Sequence, residues 1–360
     1  MRSDRLTRKS HLRRLALPHS EKRFIDLTAS GAVDLDAPQA LIDDTVWTLD
    51  ELLDEARCYA PETVQEQPYS FECGDDALLW CARMIDQSPT ARRLMEIAGE
   101  KNWVVGFGDL KNEGFCLDSE HKHIILDHFS LNAESLGRSA YFRHILLTTF
   151  IRALRDIWHE DYFDSLHSTY APEHVLMMER VRTADCDTVT ILCGWELRGA
   201  GFTEVWRHLL GSEEGDMAII FTRFLERDPG ALFSGAALAY AFRQWYADIG
   251  RVDGVDHDTL EQLDDMLEES EHPAPFGQRR LDAMAIEDMA TLPDGTRYLS
   301  GLGNGIIRDP FFAGLNDPIN QTHLFHLMYD MEVVMVNNVP FRDAKLARKI
   351  FPQAEMTRIR

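Results

Sequence analysis

Apolar residues recur at three- and four-residue spacing through most of this chain, the signature of helices that bury one face. The pattern predicts helices over Thr48–Ala56, Asp75–Ser88 and Thr90–Glu100, with Pro89 breaking the last two apart. The period then changes. Trp103–Leu110 and Gly114–Asp118 read as a hairpin punctuated by Gly106, Gly108 and Gly114, and a third strand follows within His121–His128. From residue 134 onward helical spacing returns almost without interruption. Glu134–Glu160 reads as one helix, or as two with a break near Gly137. Pro172–Arg198 starts on a residue suited to a first helical turn and ends before Gly199 and Gly201. Thr203–Leu210, Glu214–Glu226, Pro229–Asp248, Asp256–Glu269 and Arg279–Ala290 continue the series. Residues 291–320 are loop-rich, Asn320–Val336 forms a final apolar segment, and Pro340–Arg360 reads as a weakly structured tail.

The fold class implied is α+β and mainly helical: a small antiparallel sheet with helices, followed by a helical C-terminal half. Five segments are expected. Residues 1–40 form a basic, flexible arm and 41–89 a helical lead-in. Residues 90–200 make the domain that carries the strands and the two longest helices. Residues 201–290 extend it with helices, and 291–360 hold the loops, the last helix and the tail.

Composition narrows the function. At 360 residues, 45% apolar and 27% charged, the chain has the makeup of a globular protein with a sizeable core. No run approaches the roughly 18 apolar residues needed to span a bilayer. No apolar h-region opens the chain, so cytoplasmic residence is expected. Cys58, Cys73, Cys81, Cys116, Cys186 and Cys193 include no C-x-x-C pair and read as reduced, mostly buried thiols. Cys186 and Cys193, seven apart on a predicted helix, share a face and read as packing. The net charge of −23 argues against nucleic-acid binding by the body of the protein. Met1–Arg23 is the exception, with eight basic residues against Asp4 and Glu21, and reads as a solvated tail.

The chemistry concentrates on Tyr141–Glu160, an apolar helix with a polar notch at Arg152, Ala153, Arg155 and Asp156. Antiparallel strands followed by an amphipathic helix bearing H-E-x-x-H is the opening order of zinc-dependent peptidases. There the two His, four apart, bind the metal and the Glu activates water. At that spacing this chain offers R-A-L-R-D, Arg152 to Asp156. A carboxylate third ligand from the next helix would be Glu179 or Asp185, with Glu196 behind them. His121 and His123 alternate along a strand with His128 beyond, and His323 and His326 are three apart on the last helix. Neither group has an obvious third partner, so both read as surface or capping histidines. Gly301–Gly305 lacks the G-K-[ST] of a phosphate loop, and neither G-x-S-x-G nor a Cys/His nucleophile pair stands in recognisable context.

Five motifs join this order of elements: L-R-D-I-W at 154–158, E-R-V-R-T-A-D-C-D at 179–187, W-E-L-R-G-A-G at 195–201, G-D-M-A at 215–218 and F-R-Q-W-Y at 242–246. Through them the chain resembles, over residues 85–270, a bacterial putative metallopeptidase family with a zincin-like core. The resemblance implies a zincin-like domain over residues 90–200, with His121–Asp127 as an edge strand that holds an extended peptide. It places the family's His-Glu pair on Arg152 and Ala153 and a second metal His near Asp156, and all three depart from the pattern. Asp156, Glu179 and Asp185 alone would be an all-oxygen set, a poor match to zinc. Arg152 is expected to replace the metal's positive charge, shielded from water and paired with Asp156, Glu179 or Asp185. The reading that follows is a pseudo-metallopeptidase with no cofactor, a binding or regulatory protein for an unknown protein or peptide. Its rivals are a zinc peptidase with non-standard ligands, recruiting His121, His123 or His144, and a structural or assembly protein.

Overall fold

The computed structural model describes residues 13–15, 46–58, 70–163, 169–269, 276–332, 334–336, 339–341, 348–352 and 356–358. Most of the basic arm lies outside these residues. The chain forms two compact units. The first comprises Met1–Asp161 with Cys186–Leu232, the second Tyr162–Asp185 with Phe233–Arg360. The protein is mainly helical, α+β, and no described helix is long and apolar enough to cross a membrane.

The first unit holds a five-stranded sheet of β1 (Arg13–Leu15), β2 (Trp47–Thr48), β3 (Val104–Gly108), β4 (Phe115–Asp118) and β5 (His123–Asp127), in the order β1-β4-β5-β3-β2. Three expectations need correcting. The sheet is mixed rather than antiparallel, because β3 and β5 run parallel with Val105 opposite Ile124 and Phe107 opposite Leu126. β3 and β4 do not form a hairpin; β4 pairs antiparallel with β5, Cys116 opposite Ile125. Finally, β5 is the central strand and not an edge.

The cause lies in β5 and in the loop before β4. Ile124 and Leu126 are fully buried, so β5 gains most from neighbours on both sides. Lys111, Asn112 and Gly114 take positive φ and turn the chain past the space that β5 fills. The buried Asp127 carboxylate then closes the arrangement. It accepts the backbone N–H of Asn112 and, at 2.8 Å, that of Phe129. Part of the arm is ordered too, since Arg13–Leu15 pairs with β4 along one edge.

The helices of this unit begin where capping residues stand. α1 (Leu49–Arg57) starts at Thr48, whose hydroxyl accepts the Glu51 N–H and donates to the Glu51 carboxylate at 2.6 Å. α2 spans Gly74–Asp86. α3 (Pro89–Glu100) has Ser88 as its cap and Pro89 in its first turn. α4 (Ala133–Arg138) is capped by Asn132, and extended backbone at Ser139 separates it from α5 (Ala140–Tyr162). The break expected near Gly137 therefore falls at Ser139. α6 (Pro172–Gly199) runs through both units, its residues from Cys186 onward belonging to the first. α7 (Thr203–Gly211) and α8 (Gly215–Arg227) complete the first unit's helices.

The single helix expected over residues 229–248 is a short 3-10 turn at Pro229–Ala231, which ends the first unit, and then, after a left-handed Gly235, α9 (Ala236–Trp245) in the second. α10 (Ile249–Glu269) begins earlier than its acidic face alone predicted. α11 (Ala283–Met289), α12 (Gly303–Arg308), α13 (Pro310–Ala313) and α14 (Pro318–Glu332) follow. Val334–Val336, the end of the final apolar segment, is a strand that pairs with Val339–Phe341 and Met356–Arg358 from the tail. A buried polar network fastens this unit. Arg180 binds Asp256 through both Nε and Nη2 and donates to the Phe311 carbonyl at 3.0 Å, while Asn320 also donates to Asp256 at 2.6 Å.

Glu196, considered above as a metal ligand, has a structural task in the first unit. Its carboxylate accepts the Ser88 hydroxyl, the Thr90 hydroxyl at 2.7 Å and the Thr90 N–H at 3.0 Å, tying α6 to the start of α3. Replacing Glu196 with Ala should lower stability by about 1.5–3 kcal/mol, the worth of hydrogen bonds to a charged group. Glu196→Gln should recover part of the loss. Urea denaturation of the three proteins checks this, and an unchanged midpoint for Glu196→Ala would remove the capping role.

Candidate functional site

α5 is buried around most of its circumference, Phe150, Ala153, Leu154 and Ile157 among its interior residues. Polar side chains on such a helix must be paired inside the protein. Arg152, Asp156 and His159 recur at steps of four and three, which aligns them along one face. The second half of α6 brings Cys186 and Asp187, and the start of α8 brings Glu214.

Two groupings result. In one, Arg152 Nε lies 2.9 Å from Asp187 Oδ1 and its Nη1 lies 3.6 Å from Glu214 Oε1. The Arg152 and Asp187 side chains are 15% and 3% exposed. Burial alone disfavours the guanidinium charge, but Asp187 and Glu214, with Cys186 and Asp156 behind them, outweigh it and hold the group more firmly protonated than usual. In the other, Asp156, His159 and Cys186 converge, one ligand-type atom from each lying within 4.8 Å of the others. Cys186 Sγ is 3.9 Å from His159 Nδ1. All three are at most 2% exposed.

Arg152 is thus shielded and ion-paired as expected, but its close carboxylates are Asp187 and Glu214. Asp185 accepts the Tyr298 hydroxyl at 2.6 Å inside the second unit, where Glu179 also lies buried. Sequence reasoning missed His159 and Cys186. The available signal was D-x-x-H over residues 156–159, a one-face spacing, together with the cysteine inside E-R-V-R-T-A-D-C-D.

The other histidines stand elsewhere. His121 lies outside β5 on the surface, bonded to Asp118 at 2.8 Å, which raises its pKa. His123 is half-buried on β5, and burial lowers its pKa. His128 is buried at the end of the sheet, and His323 pairs with Asp264 at 2.7 Å while His326 is exposed. His144 packs beside Trp80 and His208, ring centroids 6.4 and 5.4 Å away.

The helices that build both groupings are also the part of the chain that known families describe. Residues 146–300 match the Putative metallopeptidase family (DUF6782). Searches of curated proteins and of solved structures give no match. The family match begins inside α5 and leaves out all five strands of the first sheet. It therefore does not depend on the edge-strand arrangement that the sheet has overturned.

Whether the chain can serve a peptidase's zinc is decided by its donors. At the positions where the resemblance would place a His-Glu pair, Arg152 has no lone pair to offer a metal and the fully buried Ala153 cannot take a proton from water. Glu160 follows His159 in sequence, but its carboxylate accepts from Ser119 at 3.2 Å on an exposed flank. An H-E-x-x-H arrangement does not fit residues 152–156.

Two outcomes are expected here. Arg152→Ala leaves Asp187 buried without its cation and should cost about 3–5 kcal/mol, whereas Arg152→Met with Asp187→Leu should cost clearly less than the single change. Thermal unfolding decides it; a loss within about 0.5 kcal/mol would make Arg152 an ordinary surface residue. The second concerns pH. Burial, assisted by His208 and Arg143, pushes His144 down to about 4. The folded pKa lies below the unfolded value, so the unfolded chain takes up the proton first. The corresponding stability is complete above about pH 6.5 and is lost as pH falls toward 4, on the order of 3 kcal/mol. His144→Phe should flatten this dependence in urea titrations at pH 7 and 4.5; parallel profiles would exclude His144 as its source.

Proposed function

We propose that this is a catalytically degenerate relative of the metallopeptidases, acting in the cytoplasm as a binding or regulatory protein for a protein or peptide partner. One observation carries the reading: Arg152, where the resemblance would place the first metal histidine, is engaged at 2.9 Å by Asp187. A guanidinium there supplies fixed positive charge without a Lewis-acid centre, and Asp187 and Glu214 balance it. With Ala153 next to it, no general base stands at the place where water would be activated. The family match supports descent from a metallopeptidase framework, and the loss of the base supports its use for something other than hydrolysis.

The full-length protein, incubated with casein and a mixed peptide library in the presence of added Zn²⁺, should release no product above a chelated control. Zinc-dependent, chelator-sensitive cleavage that follows the protein through repurification would overturn the reading in favour of a peptidase with non-standard ligands.

A further inference from the structure

We propose that Asp156, His159 and Cys186 form a buried binding site for a borderline transition-metal dication, zinc being the natural occupant, distinct from the positions of the peptidase motif. The three side chains present an oxygen, a nitrogen and a sulfur from two helices, within 4.8 Å of one another. That donor set selects against Mg²⁺ and Ca²⁺, which take oxygen ligands, and suits Zn²⁺ or Co²⁺. Tetrahedral zinc, with bonds of about 2.0–2.3 Å, would set the sulfur and nitrogen about 3.5 Å apart. The observed 3.9 Å is reached by a shift of a few tenths of an ångström in two side chains. Three protein ligands leave one position for a small ligand such as water.

Charge favours the same conclusion. An aspartate and a cysteine thiolate together neutralise a dication. The nearby Arg152 would repel one, but Asp187 and Glu214 already balance its charge. A cysteine nucleophile assisted by His159 is the competing chemistry for these groups. It needs a reachable sulfur, and Cys186 is 2% exposed with its histidine 3.9 Å away. Binding breaks the Cys186 S–H bond, forms a metal–sulfur bond and releases the proton to solvent. No oxidant or reductant is required.

The test uses the full chain, stripped with a chelator and dialysed, then titrated with Zn²⁺ by calorimetry in two buffers of different ionisation enthalpy and with Co²⁺ by absorption spectroscopy. One equivalent should bind with proton release, and Co²⁺ should give a near-ultraviolet thiolate-to-metal charge-transfer band. Cys186→Ser should abolish the band. His159→Ala should weaken binding by more than about 100-fold, since even changes behind the ligands cost 10–100-fold. Circular dichroism monitors the fold of each variant. Should a variant be unfolded, alkylation of wild-type Cys186 in mild urea, followed by mass spectrometry, replaces it. Zn²⁺ should slow that alkylation at Cys186, and equal rates with and without the ion would overturn the site. So would absence of the band in the wild type, or an equal band in Cys186→Ser. Hydrolysis is measured separately. Metal bound here with cleavage would keep the site and sink the degenerate reading; no metal and no cleavage would do the reverse.

Discussion

A guanidinium inside protein is tolerated only where acids meet it, and Arg152 imposes that constraint on the first unit. Its partners come from two different elements, Asp187 on α6 and Glu214 at the start of α8, so one cation holds three helices in relation to each other. The pairing is close enough that burial does not discharge the group. Register follows from it. With Arg152 fixed toward Asp187, helical geometry turns Asp156 and His159 along the same face and brings Cys186, the neighbour of Asp187, beside them. The metal-type cluster lies on the same two helices as the ion pair.

Helix positions were legible chiefly from apolar periodicity with a few proline and glycine boundaries, and the structure adds the caps that fix several starts. Thr48, Ser88 with Pro89, Asn132 and Pro172 each stand at a helix start. Strand order was not legible. Whether β3 pairs with β4 or with β5 depends on the loop through Lys111, Asn112 and Gly114, and on a carboxylate, Asp127, distant in sequence from the loop it anchors. Periodicity assigns the faces of a strand but carries nothing about its neighbours.

The site shows a different limit. That an arginine at position 152 would be shielded and acid-paired could be read from its apolar neighbours, yet the partner could not. Asp185, Cys186 and Asp187 are consecutive and all at most 2% exposed, so this stretch of α6 is interior on every side. A polarity pattern selects a face only when another face meets water. Two residues of helix turn a side chain by about 200°, so periodicity alone could not tell whether Asp185 or Asp187 would meet Arg152; Asp187 does. Cys186 read as packing because it shares a helical face with Cys193, and nothing in the sequence set it beside His159.

If the proposed metal site is occupied, what would separate it from a catalytic zinc centre is a small displacement along one helix. A hydrolytic zinc needs ligands, an open position facing substrate, and a base aligned with the bound water. Asp156 and His159 lie three apart, so the intervening Ile157 and Trp158 are apolar and no carboxylate sits where H-E-x-x-H carries its base. The acid that follows the histidine, Glu160, turns to Ser119 on an exposed flank, away from the buried cluster. Burial removes the remaining requirement, because a centre at most 2% exposed admits an ion more readily than a peptide. On the proposed reading, what the helix would keep from a peptidase framework is the capacity to concentrate charge in its interior, without the reactive geometry.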